Sequence, residues 1–138
     1  MKESYMRFGE YIKKKRLADP REVTLNDVSK VIGISLNYLS EIEAGRKRPT
    51  PFDAEAIEKL CEYLNLGDEE KARIYDLAAK EKKDVPADIE DVFMYEPIGE
   101  LARFALRQSN AGNITEEDWK QFIRSSEAKK KKKGTPGE

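Results

Sequence analysis

The chain has 138 residues, 38% of them charged and 38% hydrophobic, which allows one compact domain or a small domain with an appended second element and excludes large multidomain enzymes. Its single cysteine, Cys61, cannot close an internal disulfide, and with no histidine in the chain neither a Cys/His zinc site nor a His-based catalytic triad can be built, so no metal, no cofactor and no enzyme activity are expected. The net charge of −1 conceals an asymmetry: residues 1–50 carry 11 basic against 7 acidic side chains, residues 51–100 carry 6 against 15, and residues 101–138 carry 9 against 5.

At the N-terminus, "MKESYMRFGEYIKKKR" is amphipathic and too polar for a signal sequence, and no segment is apolar enough to span a bilayer; a cytoplasmic location with no membrane contact is expected. Phe8, Ile12 and Leu17 among Lys13, Lys14, Lys15 and Arg16 predict a first helix over about 4–18. Pro20 then breaks it. Thr24, with Asp27 three residues on, forms an N-cap signal for a helix over about 25–32 with Val28, Val31 and Ile32 on one face. Gly33 suits the left-handed conformation that closes a helix. Ser35 caps the next helix, which turns Leu39 and Ile42 inward and ends at Gly45. Two short helices joined by one tight turn have the sequence form of a helix-turn-helix. After the basic loop "RKRPTP", Ile57, Leu60, Cys61 and Leu64 predict a helix over about 53–64, and Ile74, Leu77 and Ala78 another over about 68–82. The stretch "KDVPADIEDVFMYEP" reads as a connector with one short helix. Pro97 opens a helix over about 97–108, and Thr115 with Asp118 caps a last helix carrying Trp119, Phe122 and Ile123. The tail "KKKKKGTPGE" has no apolar residue and is expected to be disordered.

Residues 8–66 contain "TLNDVSKVIGISLNYLSEIEAGRKRPTPFDAEAIEKLCEYLNL": a polar helix start, the small Ser29 where two helices cross, Gly33 at the turn, then "S..YLS.IE.G...P" and a closing "I..L...L". This pattern resembles the phage-repressor and Cro-like helix-turn-helix family, the XRE family. The resemblance implies an all-α, five-helix lambda-repressor-like DNA-binding domain, here over 1–82. A helical C-terminal extension over 83–126 and a disordered lysine-rich tail over 127–138 would follow. The link "LADPREV" between the first two helices is a few residues longer than is usual in that family.

By the same resemblance the second helix of the pair lies in the major groove of double-stranded DNA, and its early residues reach base edges. Leu36, Asn37 and Glu41 would face the groove, with Ser35, Tyr38 and Ser40 at its sides. Asn37 can bond bidentately to adenine, Glu41 can accept from cytosine, and Leu36 can touch a thymine methyl. Tyr38 is equally consistent with a half-buried packing residue and with a phosphate contact. Thr24, at a helix N-terminus, is placed to hold a phosphate, and Arg46, Lys47 and Arg48 to grip the adjacent backbone without reading sequence. Arg16 falls where the family has an arginine that pairs with the glutamate at the position of Glu43, a structural ion pair.

Residues 85–126 hold too many apolar side chains for a disordered tail: Val92, Phe93, Met94, Phe104, Trp119 and Phe122 need something to pack against. Either they fold back on the fifth helix or they join a second copy. Inverted-repeat operators require two-fold proteins, which favours a homodimer. The expected function is a sequence-specific transcriptional regulator, a dimeric repressor of phage, mobile-element or autoregulatory type. The alternative is an antitoxin or other interaction module that neutralises a protein partner through residues 85–126. The acids Glu116, Glu117 and Asp118 point apart on a helix and suit its first turn, so they are not read as a catalytic site. The lysines 129–133 are consistent with a solvated tail or with added phosphate attraction.

Overall fold

The computed structural model describes residues 6–133, and those residues are helical with no strand. Up to Glu90 they form one compact unit and from Asp91 onward a second. The first holds α1 (Phe8–Ala18), α2 (Leu25–Ile32), α3 (Leu36–Glu43), α4 (Ala54–Leu64) and α5 (Asp68–Lys82). Helix α1 packs on α3 and α5, α2 on α3 and α4, and α4 on α5. Their common core contains Phe8, Ile12, Val28, Leu39, Ile42, Ile57, Leu60, Leu64, Ile74 and Leu77, together with Tyr11 and Phe52. Phe8 and Phe52 meet edge to face at 4.8 Å, a geometry that adds to simple area burial. Cys61 is a small core residue, and burial pushes its thiol up to about 11.

The first helix begins later than its sequence pattern suggests. Residues 4 and 5 lie outside the described residues, and Arg7 is extended, with α1 starting at Phe8. Glu81 of α5 sets that start: its carboxylate accepts the Phe8 amide at 2.8 Å and the Arg7 guanidinium at 2.9 Å. The Phe8 amide would otherwise be left unsatisfied at the helix end. Leu17, expected on the inward face, is 63% exposed. Five residues separate it from Ile12, which at 3.6 per turn rotates it off the stripe that Phe8, Tyr11 and Ile12 occupy.

Local signals fix the next two helices. Thr24 Oγ1 accepts the Asp27 amide at 3.0 Å while Asp27 accepts the Thr24 amide at 2.9 Å, a complete capping box. These bonds from the Thr24 backbone and side chain hold the Asp27 carboxyl below its usual range. Gly33 closes α2 at φ +79 and donates to Ser29 O at 2.8 Å, in the left-handed region that other residues seldom enter. Ser35 then opens α3, its Oγ accepting the Tyr38 amide at 3.1 Å.

Ala87 packs against the core, so the first unit runs past the boundary at 82 drawn from the sequence. The second unit comprises α6 (Glu90–Tyr95), which begins at the boundary, α7 (Pro97–Asn110) and α8 (Glu116–Lys133). Pro97 stands at the start of α7. Thr115 and Asp118 exchange hydrogen bonds at 3.1 and 2.9 Å before α8. The backbone stays helical through Lys133, where a disordered tail was expected from residue 127. Ala and Lys are strong helix formers, and cations near a helix C-terminus complement its dipole. That part of the expectation is corrected for 127–133; residues 134–138 lie outside the described residues.

Candidate DNA-binding face

The geometry of α3 follows from what it buries. Leu39 and Ile42 are in the core and Glu43 is buried beside them, so the opposite side of the helix is turned outward. Leu36 is 47% exposed and Asn37 is exposed, while Tyr38, Ser40 and Glu41 are half-buried at the edges. Among the described residues the Asn37 amide has no partner, which leaves both its donors and its acceptor for a ligand. The helix start therefore presents an apolar and a polar side chain next to each other, with Ser35 adjacent and occupied as the cap.

The loop after α3 folds back on it. The amides of Arg46 and Lys47 donate to the Glu41 carbonyl at 2.9 and 3.3 Å. Arg46 grips the Glu41 carboxylate with two bonds, Nε to Oε1 at 2.9 Å and Nη2 to Oε2 at 3.1 Å. That side-chain bonding holds the Glu41 carboxyl below its ordinary range and raises Arg46 above its own. Lys47 places its ammonium 5.5 Å from the centre of the Tyr38 ring, within cation–π reach. Arg48 is exposed and makes no ion pair among the described residues. The three loop cations are therefore in three different states: one in a bidentate pair, one over an aromatic ring, one open to solvent.

Sequence reasoning placed Glu41 and Arg46 separately, one for a base and one for a phosphate; the structure brings them together. The signal lies in their spacing of five residues across a helix end, where the returning loop passes over the preceding turn. A carboxylate has about four acceptor positions, so Glu41 can hold Arg46 and still accept from a base. Arg46 in turn keeps Nη1 free. The Thr24 hydroxyl oxygen likewise accepts within the capping box, and the Thr24 side chain also bonds the Asp27 carboxylate. The Asp27 carboxylate already occupies the positive end of α2 beside it.

Behind this face, Arg16 joins three segments. Its Nε and Nη2 donate to Glu43 Oε2 and Oε1, both at 3.0 Å, and its Nη1 donates to Val23 O at 3.0 Å. The two side chains are 10% and 6% exposed. The long α1–α2 link does not displace the pair, because it folds on itself: Asp19 accepts the Arg21 amide and side chain, which lowers the Asp19 carboxyl to about 2, and the Arg21 guanidinium lies 4.7 Å from the Tyr63 ring centre. Gly9 completes the seat of α3. A Cβ there would stand 2.7 Å from Glu43 O and would collide with Ile42 O, so α1 lies directly on the carbonyls of the last turn of α3.

A helix pair with this turn, backed by three further helices and carrying an outward polar face followed by a basic loop, defines a helix-turn-helix. Residues 7–74 match the family model described as a helix-turn-helix domain, and this part of the chain belongs to that family. Helix-turn-helix domains are DNA-binding modules, which makes the chain a DNA-binding regulator in outline. Neither a curated protein nor a solved structure matches the chain. Among the described residues no helix is long and apolar enough to cross a membrane.

Proposed function

We propose that this protein is a sequence-specific transcriptional regulator of XRE type that binds an inverted-repeat operator as a homodimer and represses by covering a promoter. The observation that carries the reading is the open first turn of α3: Leu36 and an unpartnered Asn37 project from a rigid seat, and a basic loop follows. In this reading Asn37 pairs with an adenine edge, Leu36 packs on a thymine methyl, and Glu41 accepts from cytosine while Arg46 holds it in orientation. Ser35, Ser40 and Tyr38 border the groove. Thr24, Arg46, Lys47 and Arg48 contact phosphates and set register. Arg16 and Glu43 touch no DNA and hold α3 to α1.

Selection of bound sequences from a random duplex library, with purified full-length protein at moderate salt, tests this reading. An inverted-repeat motif is the expected result. No enrichment from a folded protein would overturn it. The open apolar surface of the second unit favours one other reading, an antitoxin or related module that captures a protein partner through residues 85–126. Co-purification of a small second protein, with no selected motif, would replace the first reading with the second.

A further inference from the structure

Beyond Glu90 the described chain has no interior of its own. Gly99, beneath the Val92 and Phe93 carbonyls, is the one buried residue among the described residues of the second unit. Ile98, Leu101 and Phe104 of α7 are 62%, 70% and 61% exposed, and Phe122 and Ile123 of α8 are 63% and 52% exposed. Helices of 14 and 18 residues have marginal stability in water without tertiary packing. At on the order of 100 Å² of open surface for each large apolar side chain, the five expose on the order of 500 Å², a patch of the size that is often functional and more than half of the about 800 Å² per partner of a stable interface.

Charge selects the occupant. Helix α8 begins with Glu116, Glu117 and Asp118, and carries Lys129 and Lys130 toward its other end. Two such helices side by side in the same direction place like charges together. Antiparallel, about a two-fold axis, they place each acidic end against a basic end, and the apolar residues at Phe122 and Ile123 fall near the middle. The bonds Lys120–Glu116 at 3.3 Å and Arg124–Glu117 at 3.2 Å are exposed pairs within one helix, weak enough to exchange for partners across an axis.

We propose that the open face of α7 and α8 is covered by the same face of a second copy of this chain, with the two α8 helices antiparallel. The proposal rests on the homodimeric reading above and gives it an interface. Isologous contact of this kind closes at two copies.

Sedimentation equilibrium of the full chain tests it. The expected state is a dimer. Leu101→Glu with Phe122→Glu, at positions exposed in one copy, should raise the dimer dissociation constant roughly a hundredfold and leave the cooperative thermal transition of the first unit in place. Glu116→Lys with Glu117→Lys should weaken the dimer roughly tenfold, and adding Lys129→Glu and Lys130→Glu should restore it. A monomeric native protein, a dimer indifferent to the apolar substitutions, or a dimer indifferent to the first charge reversal would each overturn the proposal; parallel pairing gives the last result, because it keeps like charges together either way. Binding of a single half-site duplex by the same variants separates the two readings. Retained half-site binding with a lost dimer leaves the DNA reading intact, and an intact dimer that selects no DNA counts against the DNA reading alone.

Discussion

Asn37 owes its exposure to the residue two before it. Ser35 caps α3 and so fixes which side chain enters the first turn, while Leu39 and Ile42 fix the rotation of the helix by entering the core. With no partner among the described residues, the Asn37 amide loses nothing by truncation except its ligand. Asn37→Ala is therefore expected to leave thermal stability unchanged, to cost about 1–3 kcal/mol of operator binding and to relax preference at one position of each half-site, as read by repeating the library selection with the variant. An unchanged motif would remove Asn37 from base recognition. Glu43 behaves in the opposite way. Removing it leaves the Arg16 guanidinium buried without its counter-charge, so Glu43→Ala should destabilise the domain by about 3–5 kcal/mol in urea unfolding. Replacing both partners with apolar residues, Arg16→Met with Glu43→Leu, should recover most of that loss, because no uncompensated charge remains.

At the scale of elements, the position of α3 is set by backbone contact as much as by side chains. Gly9 lies against the Ile42 and Glu43 carbonyls, so a methyl group there must push α1 and α3 apart. Alanine in a helix interior is ordinarily favoured over glycine by about 1 kcal/mol. Here Gly9→Ala should reverse that sign and lower stability by about 1–3 kcal/mol, the usual cost of overpacking, measured as a lower melting temperature with unchanged helix content. This contact also marks where the sequence stops being informative. Thr24, Gly33 and Ser35 announce helix ends through bonds to residues within four positions, Pro97 through its fixed φ and missing donor, and the predicted elements around them agree with α2, α3 and α7 nearly to the residue. The start of α1 has a local signal in Glu10, which accepts the Arg7 amide at 3.0 Å, but it depends also on Glu81, 73 residues further on, which no local pattern points to. Gly9 has no periodicity of its own and acquires meaning only once α3 is packed on it. The same division holds at the candidate interface. The exposed turn of α3 could be read from cap and apolar spacing, whereas the Arg46–Glu41 grip depends on how the loop returns over a finished helix. Helix α8 outruns its apolar pattern because helix propensity alone continues it through the lysines.

For the whole molecule, charge distribution matters more than charge. Residues 1–90 carry 17 basic and 19 acidic side chains, so the helix-turn-helix unit is not a polycation, and any attraction to DNA must come from where its cations stand. Arg48 is open, Lys47 sits over Tyr38, and Arg46 is neutralised locally by Glu41. A duplex approaching the start of α5 meets the acidic turn of Asp68, Glu69 and Glu70. Such an arrangement favours one orientation and keeps non-specific affinity low. Each phosphate neutralised releases counterions, and for duplex DNA the slope of log K against log salt is about −0.9 per phosphate contact. With Lys47 and Arg48 available in each half-site and Arg46 held by Glu41, a dimer should show a slope of roughly −3.6 and lose on the order of 10² in affinity between 50 and 200 mM salt. Glu41→Gln is the informative variant here. It frees Arg46 from its counter-charge, so binding to random duplex should strengthen and its salt slope steepen by about one per half-site, while discrimination at the base that Glu41 contacts falls. Fluorescence anisotropy titrations at several salt concentrations, on selected and scrambled duplexes, read both effects at once. A slope that does not change would mean that Arg46 never reaches a phosphate, and would leave the pair as a brace for the end of the recognition helix.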